Sequence, residues 1–414
     1  MSARIQSIRG MEDVLPDGAA LWQRFEDATR GVFEQYGYRN IRTPIVEPTA
    51  LFVRGLGEVT DIVEKEMYVF DDRNGESLAL RPEATAGIVR SAIEHNFLYN
   101  GALRVWTAGP MFRYERPQKG RQRQFHQFDV EALGFAGPDV DAEQIVMLAR
   151  LWKAVGITGA ELHINSIGDA AERKAHRAQL IAHFEKHASV LDEDAKRRLH
   201  ANPLRLLDSK HPPMQPVIEK APRLLDQLGD AAAEHFESVK VLLDAAGIQY
   251  TVNARLVRGL DYYNRTVFEW VTDKIGAQST IAGGGRYDAL FEQLGGKATP
   301  ACGFGMGMER VLLAMQACDV QAADEPDVFV VHSGEGAALV AWRLAEEWRN
   351  AGKRVVLGGG GSFKSQMKKA DASNARYAVI IGDDEVSARK VTLKPLRRDG
   401  EQKLLLPSEA LIEI

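Results

Sequence analysis

The segment LVRGLDYYNRTVFEW, residues 256–270, places polar side chains directly before an alternating run typical of a half-buried strand. Tyrosine is common at strand ends, so Tyr262 and Tyr263 alone need no functional explanation. Arg258 and Asp261 beside them need polar partners. We therefore expect the mouth of this strand to meet a ligand or other polar groups.

A second segment, MFRYERPQKGRQRQFHQFDVEALG, is locally basic in a chain whose net charge is −5. The cations lie between Arg113 and Arg123 and are Arg113, Arg116, Lys119, Arg121 and Arg123, and the only acid within that stretch is Glu115. Both flanks alternate in polarity, so the basic stretch, with Pro117 and Gly120, predicts a loop that joins two antiparallel strands.

The strand after this loop has two different faces, because side chains alternate with period two. One face carries Phe125, Gln127, Asp129 and Glu131, and the other carries His126, Phe128 and Val130. Amide and carboxylate groups beside a basic loop favour a pocket for a zwitterion and a phosphate. We interpret His126 as a core residue or as a support for the pocket.

The stretch GFGMGMER has glycine at alternate positions, Gly303, Gly305 and Gly307, and Arg310 begins the next helix. Glycine within a strand often marks close approach by a ligand or by backbone, so we expect a flat adenine ring to lie on this bare face. The dinucleotide fingerprint is absent, because its third glycine position holds Met308. GGGRYDAL, residues 283–290, is another bare stretch nearby in the chain.

The segment GGGGSFKS, residues 358–365, follows a predicted strand and opens a predicted helix. A P-loop would need glycine where Phe363 stands. We therefore interpret Ser362 as a helix N-cap after a flexible turn.

Composition narrows the class of protein. At 414 residues, 45% hydrophobic and 26% charged, the chain predicts two or three globular domains. There is no stretch of signal-peptide or membrane-spanning character, which indicates a cytoplasmic protein without a membrane partner. Cys302 and Cys318 lack metal-site spacing and are interpreted as buried apolar residues. The acidic net charge confines any RNA contact to a local basic patch.

The chain divides by pattern. Helical periodicity from Leu21 to Tyr36 stops at Gly37, an extended segment YRNIRTPIVEP follows, and DRNGE signals a hairpin. Residues of about 169–248 predict an inserted helical module. Asp324, Glu325 and Pro326 mark a hinge before a small domain of alternating strands and helices.

Together these segments resemble a known family. The long helix with YGYRNIRTPIVEP is similar to motif 1 of class II aminoacyl-tRNA synthetases, FRYERPQKGRQRQFHQFDVE to motif 2, and GFGMGMER to motif 3. LVRGLDYYNRTVFEW and AGGGRYDAL resemble the two stretches that distinguish histidyl-tRNA synthetases. The resemblance covers nearly the whole chain.

The resemblance implies an α/β architecture with an antiparallel six-stranded catalytic sheet, a helical insertion and a C-terminal α/β anticodon-binding domain. The implied domains are residues 1–325 and 326–414. The implied activity is formation of histidyl-adenylate from L-histidine and ATP, with Mg²⁺ on the polyphosphate, then transfer of histidine to the 3′ end of histidine tRNA. A homodimer is also implied.

The resemblance also implies roles for single residues. Histidine would be held by Glu83, Thr85, Arg113, Gln127, Glu131, Arg258, Tyr262 and Tyr263. ATP would be held by Arg113, Glu115, Phe125 and Arg310, and the tRNA acceptor end by Arg116, Gln118 and Arg123. Arg258 and Arg113 would be the catalytic residues, and no side chain is implied as a metal ligand.

Two other classes remain open from sequence. A catalytically silent relative that regulates histidine biosynthesis would share the catalytic fold, but would be expected to lack the RGLDYY arginine and the anticodon-binding domain. A P-loop NTPase would use GGGGSFKS and is weakened by Phe363.

Overall fold

The structure is a computed structural model that describes residues 4–57, 60–209, 211–257, 262–276, 279–322 and 325–414. Two compact units are formed, one by Met1–Val14 with Trp22–Gln321 and the other by Leu15–Leu21 with Ala322–Ile414. The predicted hinge residue Asp324 lies outside the described residues.

The larger unit contains most of the regular structure. Its strands are β1 (Arg39–Asn40), β2 (Val46–Pro48), β3 (Tyr68–Asp71), β4 (Ser77–Leu80), β5 (Leu103–Phe112), β6 (Gln124–Leu133), β7 (Glu161–Ser166), β8 (Thr251–Val252), β9 (Asn264–Val271), β10 (Thr280–Arg286) and β11 (Ala301–Gly307). The helices up to residue 317 are α1 (Pro16–Gln35), α2 (Thr49–Leu56), α3 (Thr85–Glu94), α4 (Pro138–Val155), α5 (Ala170–Glu185), α6 (Glu193–Ala201), α7 (Gln215–Glu219), α8 (Asp230–Ala245), α9 (Leu290–Gln293) and α10 (Met308–Ala317).

The main sheet has eight strands in the order β1-β5-β6-β11-β10-β9-β7-β8. The six central strands pair antiparallel, while β1 and β8 pair parallel to the strands beside them. The prediction of a six-stranded antiparallel sheet was therefore wrong in strand number and in the direction of the edges. Two-residue strands are too short to show alternation, so the sequence pattern gave no sign of them.

Helix α1 covers the face of the sheet that carries the even-numbered residues of β6. The ring of Phe33 lies 5.8 Å from that of Phe128 and 6.2 Å from that of Phe304, both centroid to centroid. The predicted amphipathic helix is confirmed, and Gly37, at φ +75°, follows it in a left-handed conformation that favours glycine.

A smaller sheet, β2-β4-β3, precedes the basic loop. The predicted DRNGE hairpin joins β3 to β4, and the Asp72 carboxylate accepts hydrogen bonds from the backbone N–H groups of Asn74 and Glu76 at 2.7 and 2.9 Å. Helices α5 to α8 then occupy residues 170–245, and no described residue of that stretch belongs to a strand. Part of this module packs around its own apolar cluster, which includes Leu180, Phe184 and Met214.

A buried ion network ties the helices to the sheet. Arg286, at the end of β10, is fully buried and donates to the Asp141 carboxylate of α4 at 2.6 Å. His235 of α8 contacts the same carboxylate at 2.7 Å. Burial alone raises the pKa of Asp141, but the His235 hydrogen bond and the Arg286 charge outweigh it, and the pKa lies below its usual value. The network fixes the position of Arg286 and therefore of Tyr287 after it.

The smaller unit is an α/β sheet in the order β13-β12-β14-β15-β16. Its elements are β12 (Val328–His332), α11 (Ala337–Asn350), β13 (Val355–Leu357), α12 (Phe363–Ala372), β14 (Tyr377–Ile381), α13 (Asp383–Ala388), β15 (Val391–Pro395), β16 (Lys403–Leu405) and α14 (Pro407–Glu413). The predicted alternation through β14 is confirmed, with β12 parallel to both neighbours. Strands β15 and β16, which pair antiparallel, were not predicted.

Three smaller expectations are also decided. The Ser362 hydroxyl accepts from the Ser365 backbone N–H at 3.3 Å, so Ser362 is the N-cap of α12. Cys302 is buried as predicted, but Cys318 is only partly buried and receives a contact from Lys274 Nζ at 3.2 Å.

Among the described residues, no helix combines the length and the apolar character that crossing a bilayer requires.

Candidate active site

Strands β5, β6 and β11 build the floor of the candidate site. In register, Gln127, Asp129 and Glu131 of β6 lie opposite Gly307, Gly305 and Gly303 of β11. On the other side they lie opposite Gly109, Thr107 and Val105 of β5. A row of polar side chains is thus flanked mainly by small residues, which leave space above the sheet for them and for a ligand.

The glycines of β11 leave space for side chains of the protein itself as well as for a ligand. A Cβ at Gly303 would overlap the Glu131 carboxylate, and one at Gly305 would lie 3.0 Å from both Asp129 Oδ1 and Gln127 Nε2. Gly305 and Gly307 also line the neighbouring cavity. The interpretation of this strand as a bare surface for a ring is therefore incomplete, because part of the space is filled from β6.

The glycines of β10 also differ from one another in what lies next to them. Gly283 lines the cavity. A Cβ at Gly284 or Gly285 would instead collide with the backbone of β11 or β9, and Gly285 adopts φ +157°. These two glycines are required by strand packing rather than by a ligand.

Glu131 is buried and already holds two hydroxyl partners. The Thr85 hydroxyl donates to its Oε1 at 2.7 Å, and the Tyr287 hydroxyl donates to its Oε2. Burial raises its pKa well above the usual value, although both hydrogen bonds oppose the shift. Each carboxylate oxygen can accept a further hydrogen bond, so the group retains capacity for a ligand donor.

Glu83 is held by the start of α3. Its two carboxylate oxygens accept from the backbone N–H groups of Thr85 and Ala86 at 2.8 and 2.9 Å. Burial still raises its pKa, because these bonds only partly offset the loss of water. The RPEATAG segment therefore brings one acid and one hydroxyl to the pocket.

Three buried tyrosines pack against one another beside these acids. The ring of Tyr262 lies 4.7 Å from that of Tyr263 and 5.5 Å from that of Tyr287, centroid to centroid, and all three are buried. Tyr287 was not predicted as a site residue. A tyrosine at the end of a glycine-rich strand was the available signal, but no spacing links position 287 to position 131.

A cavity of about 250 Å³ opens beside the acidic pocket. Its lining consists of Arg113, Glu115, Gly120, Arg121, Gln122, Phe125, Gln127, Glu269, Thr280, Ile281, Ala282, Gly283, Gly305, Gly307, Glu309 and Arg310. All four residues predicted for ATP are among them, and Gln127 connects this cavity to the acidic pocket. The His126 backbone N–H and ring Nδ1 both lie 2.9 Å from Glu309 Oε1, so His126 fixes a cavity wall rather than lining the cavity.

Two arginines of the cavity, Arg113 and Arg310, are anchored on backbone oxygens. Arg113 donates to Pro82 O at 2.9 Å, with its guanidinium 5.3 Å from the centre of the Phe125 ring. Arg310 donates to Gly120 O at 2.8 Å and to Thr280 O at 3.1 Å. Burial, and then the charges of Arg113 and Arg121, lower the pKa of Arg310 to about 10. Concentrated positive charge of this kind favours an anion.

The residues of the basic loop differ in their exposure to solvent. Arg121 forms an ion pair with Glu115 and lines the cavity, a position that sequence reasoning missed. Arg116 and Gln118 are exposed. Arg123, predicted with them, is partly buried, donates to Glu115 O at 3.2 Å and lies over the Tyr114 ring at 4.1 Å.

Arg258 and Asp261 lie outside the described residues. Among the described residues, no group of three or more His, Cys, Asp or Glu side chains could hold a metal ion.

The fold and the cavity define the class of protein. A sheet whose central antiparallel strands carry motif 2 on β5 and β6 and motif 3 on β11 and α10, all around one cavity, is the arrangement of a class II aminoacyl-tRNA synthetase.

Comparisons with known proteins narrow the class to one family. A family model described as histidyl-tRNA synthetase matches residues 10–311, and one described as anticodon binding domain matches residues 327–414. A histidine–tRNA ligase of Methylobacillus flagellatus is 61% identical over 414 residues, with 99% of both chains covered. The chain belongs to the histidyl-tRNA synthetase family, and the predicted resemblance is confirmed.

Solved structures agree on the fold. The apo histidyl-tRNA synthetase of S. aureus superimposes with a TM-score of 0.82 at 35% identity, with 99% of both chains covered. A protein from Bacillus halodurans C described as an ATP phosphoribosyltransferase regulatory subunit/histidyl-tRNA synthetase has a TM-score of 0.66 at 21% identity, covering 92% of this chain and all of that one. That second likeness concerns the fold alone.

The close fit of Glu131 against β11 predicts unequal costs for two glycine substitutions. Gly303→Ala should lower the free energy of unfolding by roughly 1–3 kcal/mol, because its Cβ would overlap the Glu131 carboxylate and lie 2.6 Å from Val130 O. Gly307→Ala is the matched control, since its Cβ would meet only Arg310 carbons at 3.7 Å or more. Urea denaturation of both variants measures the difference, and equal stabilities would contradict this packing.

Proposed function

We propose that this chain is a histidine–tRNA ligase, which activates L-histidine with ATP and transfers it to histidine tRNA. The observation that carries the proposal is the pairing of a buried acidic, tyrosine-lined pocket with an arginine-lined cavity through Gln127. An amino acid cation suits the first compartment and a nucleotide polyphosphate the second. Membership of the histidyl-tRNA synthetase family indicates that the amino acid is histidine.

Histidine-dependent exchange of pyrophosphate into ATP tests the activity. Exchange should require ATP and L-histidine but not tRNA, because adenylate formation is reversible and precedes transfer. Histidinol, which keeps the ring and the ammonium but lacks the carboxylate, should support no exchange. A purified, folded chain whose exchange is not stimulated by histidine would overturn the proposal.

The acidic pocket suits histidine for two reasons. A zwitterion needs acceptors for its ammonium group, and Glu83, Thr85 and Gln127 offer them. The imidazole ring needs a partner for each nitrogen, a role we assign to Glu131 and Tyr263, with Tyr262 lining the pocket. An apolar competitor would leave buried polar groups unpaired, and a site built for hydrogen bonding discriminates strongly against such a loss.

Removal of Glu131 should weaken histidine binding selectively. In Glu131→Ala the imidazole loses a buried acceptor, which costs roughly 1–3 kcal/mol or about 5- to 150-fold in Kd. The Kd for ATP should change little. Tyr287→Phe is the control, because it removes only a donor to Glu131 and leaves the carboxylate in place. Calorimetric titration gives both constants; a histidine Kd within about twofold of wild type would remove Glu131 from the pocket.

The cavity is assigned to ATP. Phe125 and Glu115 would meet the adenine, Arg113 the α-phosphate and Arg310 the γ-phosphate. Arg121 would join the polyphosphate contacts, since it shares the cavity with these arginines. Glu269 and Glu309 are carboxylates of the same lining, and they suit a Mg²⁺ ion that keeps most of its water. Mg²⁺ would neutralise phosphate charge when bound.

Adenylate formation brings two anions together, the histidine carboxylate and the α-phosphate. Its catalysis therefore depends mainly on positioning and on opposite charge. Arg113 approaches the cavity from the end of β5, and we assign Arg258 to the same charge from the RGLDYY segment. Asp261 would orient that segment, because a carboxylate nucleophile needs no base at neutral pH.

Arg258 should act mainly in the first step. Arg258→Gln or Arg258→His should slow adenylate formation by about 10²–10³-fold, the usual effect of losing one preorganised donor. Transfer from preformed adenylate should slow far less, because the α-phosphate is then part of the leaving group. Single-turnover measurement of each step decides this. Equal slowing of both steps, or a change in histidine affinity alone, would make Arg258 a binding residue.

We propose that the two domains carry out different steps. We assign activation to residues 1–325, including the helical insertion, and anticodon binding to residues 326–414. Arg116, Gln118 and Arg123 on the basic loop would meet the acceptor end of the tRNA. A catalytically silent regulatory subunit would be expected to lack both the anticodon-binding domain and the arginine of the RGLDYY segment. This chain has both, which goes against that alternative.

The working form is assigned as a cytoplasmic homodimer. Several apolar side chains on and beside the β2-β4-β3 sheet are exposed in the single chain, namely Ile45, Val46, Val69 and Phe70. An exposed apolar group of this kind is typical of an interaction surface. A second copy of the chain would cover it.

A further inference from the structure

Asp129 is an acid of the pocket that has no role in the assignments above. It lies on β6 between Gln127 and Glu131 and points to the same face of the sheet. Only 3% of its surface is exposed. Its cross-strand neighbours are Thr107 and Gly305, so no large side chain from β5 or β11 covers it.

Two buried oxygen atoms at this point lack hydrogen-bond partners. They are Asp129 Oδ2 and Gln127 Oε1, which find no partner within the part of the chain that the structure describes. The other polar atoms of the same two side chains, Asp129 Oδ1 and Gln127 Nε2, would each lie 3.0 Å from a Cβ at Gly305, so both side chains lie over this glycine. Buried polar atoms are nearly always paired in folded proteins, so unpaired oxygens on two side chains of the same strand face indicate a place prepared for a polar group of a ligand.

The charges around Asp129 come from several elements. Glu83 faces it from the turn before α3, Arg81 from the end of β4, Arg113 from the end of β5, and Glu131 from its own strand; β11 contributes uncharged glycines. Both arginines are anchored elsewhere, Arg81 on Pro110 O at 2.9 Å and Arg113 on Pro82 O at 2.9 Å.

Burial and these charges together favour a neutral Asp129 when no cation is bound. Burial, and then the negative charge of Glu83, raise the pKa of Asp129 to about 8, against the opposing effect of Arg81 and Arg113. A carboxyl group in such a place ionises readily when a cation replaces the missing water.

We infer that Asp129 binds the α-ammonium group of histidine together with Gln127, and that it releases its proton to solvent when that cation enters. The inference rests on the proposed function, because it needs histidine in this pocket. The O–H bond of the Asp129 carboxyl breaks, the electron pair stays on the carboxylate, and an N–H of the ammonium group donates to it. No bond of the substrate changes.

The direction of the pH effect follows from this exchange. The free protein carries the proton below about pH 8 and the complex does not, so binding releases a proton in that range. Affinity for histidine should therefore rise with pH up to about 8 and then level off.

The decisive comparison uses two ligands on the wild-type full-length chain. One is L-histidine, and the other is 3-(imidazol-4-yl)propionate, which keeps the ring and the carboxylate but lacks the ammonium group. Calorimetric titration at pH 7.5 in buffers of different ionisation enthalpy counts the protons released. Histidine should release up to one proton more than the analogue. Equal release by both ligands would overturn the inference.

Variants then assign the proton to Asp129. Asp129→Asn should remove the extra proton release and weaken histidine binding by about 10- to 100-fold, the usual effect of losing a hydrogen bond to a charged group. Binding of the analogue should stay within about threefold of wild type. Glu47→Gln is the control, since Glu47 is a buried acid of β2 whose partner is Arg90.

The outcomes separate the inference from the function on which it rests. If Asp129→Asn weakens both ligands equally, Asp129 only supports the fold of the pocket and the inference is wrong, while the proposed function stands. If the wild-type chain binds ATP but neither ligand, the proposed function fails and the inference fails with it.

Discussion

The burial of three carboxylates in one small pocket is the constraint on which the site depends. Glu83, Asp129 and Glu131 are each almost fully buried, and burial raises the pKa of all three. A buried charge is costly unless hydrogen bonds or opposite charges offset it. Backbone N–H groups offset the cost for Glu83 and two hydroxyl groups do so for Glu131, but no described residue donates to Asp129 Oδ2. Arg81 and Arg113 face Asp129 but donate to backbone oxygens, so the ammonium group of an amino acid substrate suits the remaining carboxyl group.

The surrounding fold keeps these acids in place. Glycines on β11 give the β6 side chains the space that any larger residue would fill. Tyr287 can donate to Glu131 because Arg286 is fixed by Asp141, and His235 of α8 contacts the same carboxylate. The contact from α8 ties the end of the helical module to the catalytic sheet. A buried ion pair of this type adds little net stability, but loss of one partner leaves a charge unpaired.

The site is electrically divided along β6. Among the described residues, three acids without a paired side-chain cation cluster toward the Glu131 end, while Arg113, Arg121 and Arg310 line the cavity at the Gln127 end together with Glu115, Glu269 and Glu309. The arginines repel one another, which contributes to the lowered pKa of Arg310. A cationic ligand group would offset the repulsion among the acids at one end, and a phosphate would offset the repulsion among the arginines at the other. A reaction between an amino acid and a nucleotide polyphosphate suits a site with this polarity, since its two reactants meet at the boundary.

The sequence by itself determined the family, the order of the helices and strands with strong periodicity, and the face of β6 that holds Gln127, Asp129 and Glu131. These features are local, because period-two alternation and motif spacing can be read without knowing which strands become neighbours. The same reasoning identified Ser362 as an N-cap instead of part of a P-loop. It missed β1 and β8, which are too short to show a pattern.

Only the tertiary structure decided what each polar side chain meets. Tyr287 reaches Glu131 across 156 positions of sequence, and Gly303 lies beside Glu131 because β11 pairs with β6. Glycine in a strand indicates close approach, but the approaching group, here a carboxylate of the protein itself, depends on strand order. The unpaired oxygen of Asp129 is likewise invisible in sequence, because the absence of a hydrogen-bond partner depends on every neighbouring element in the folded chain.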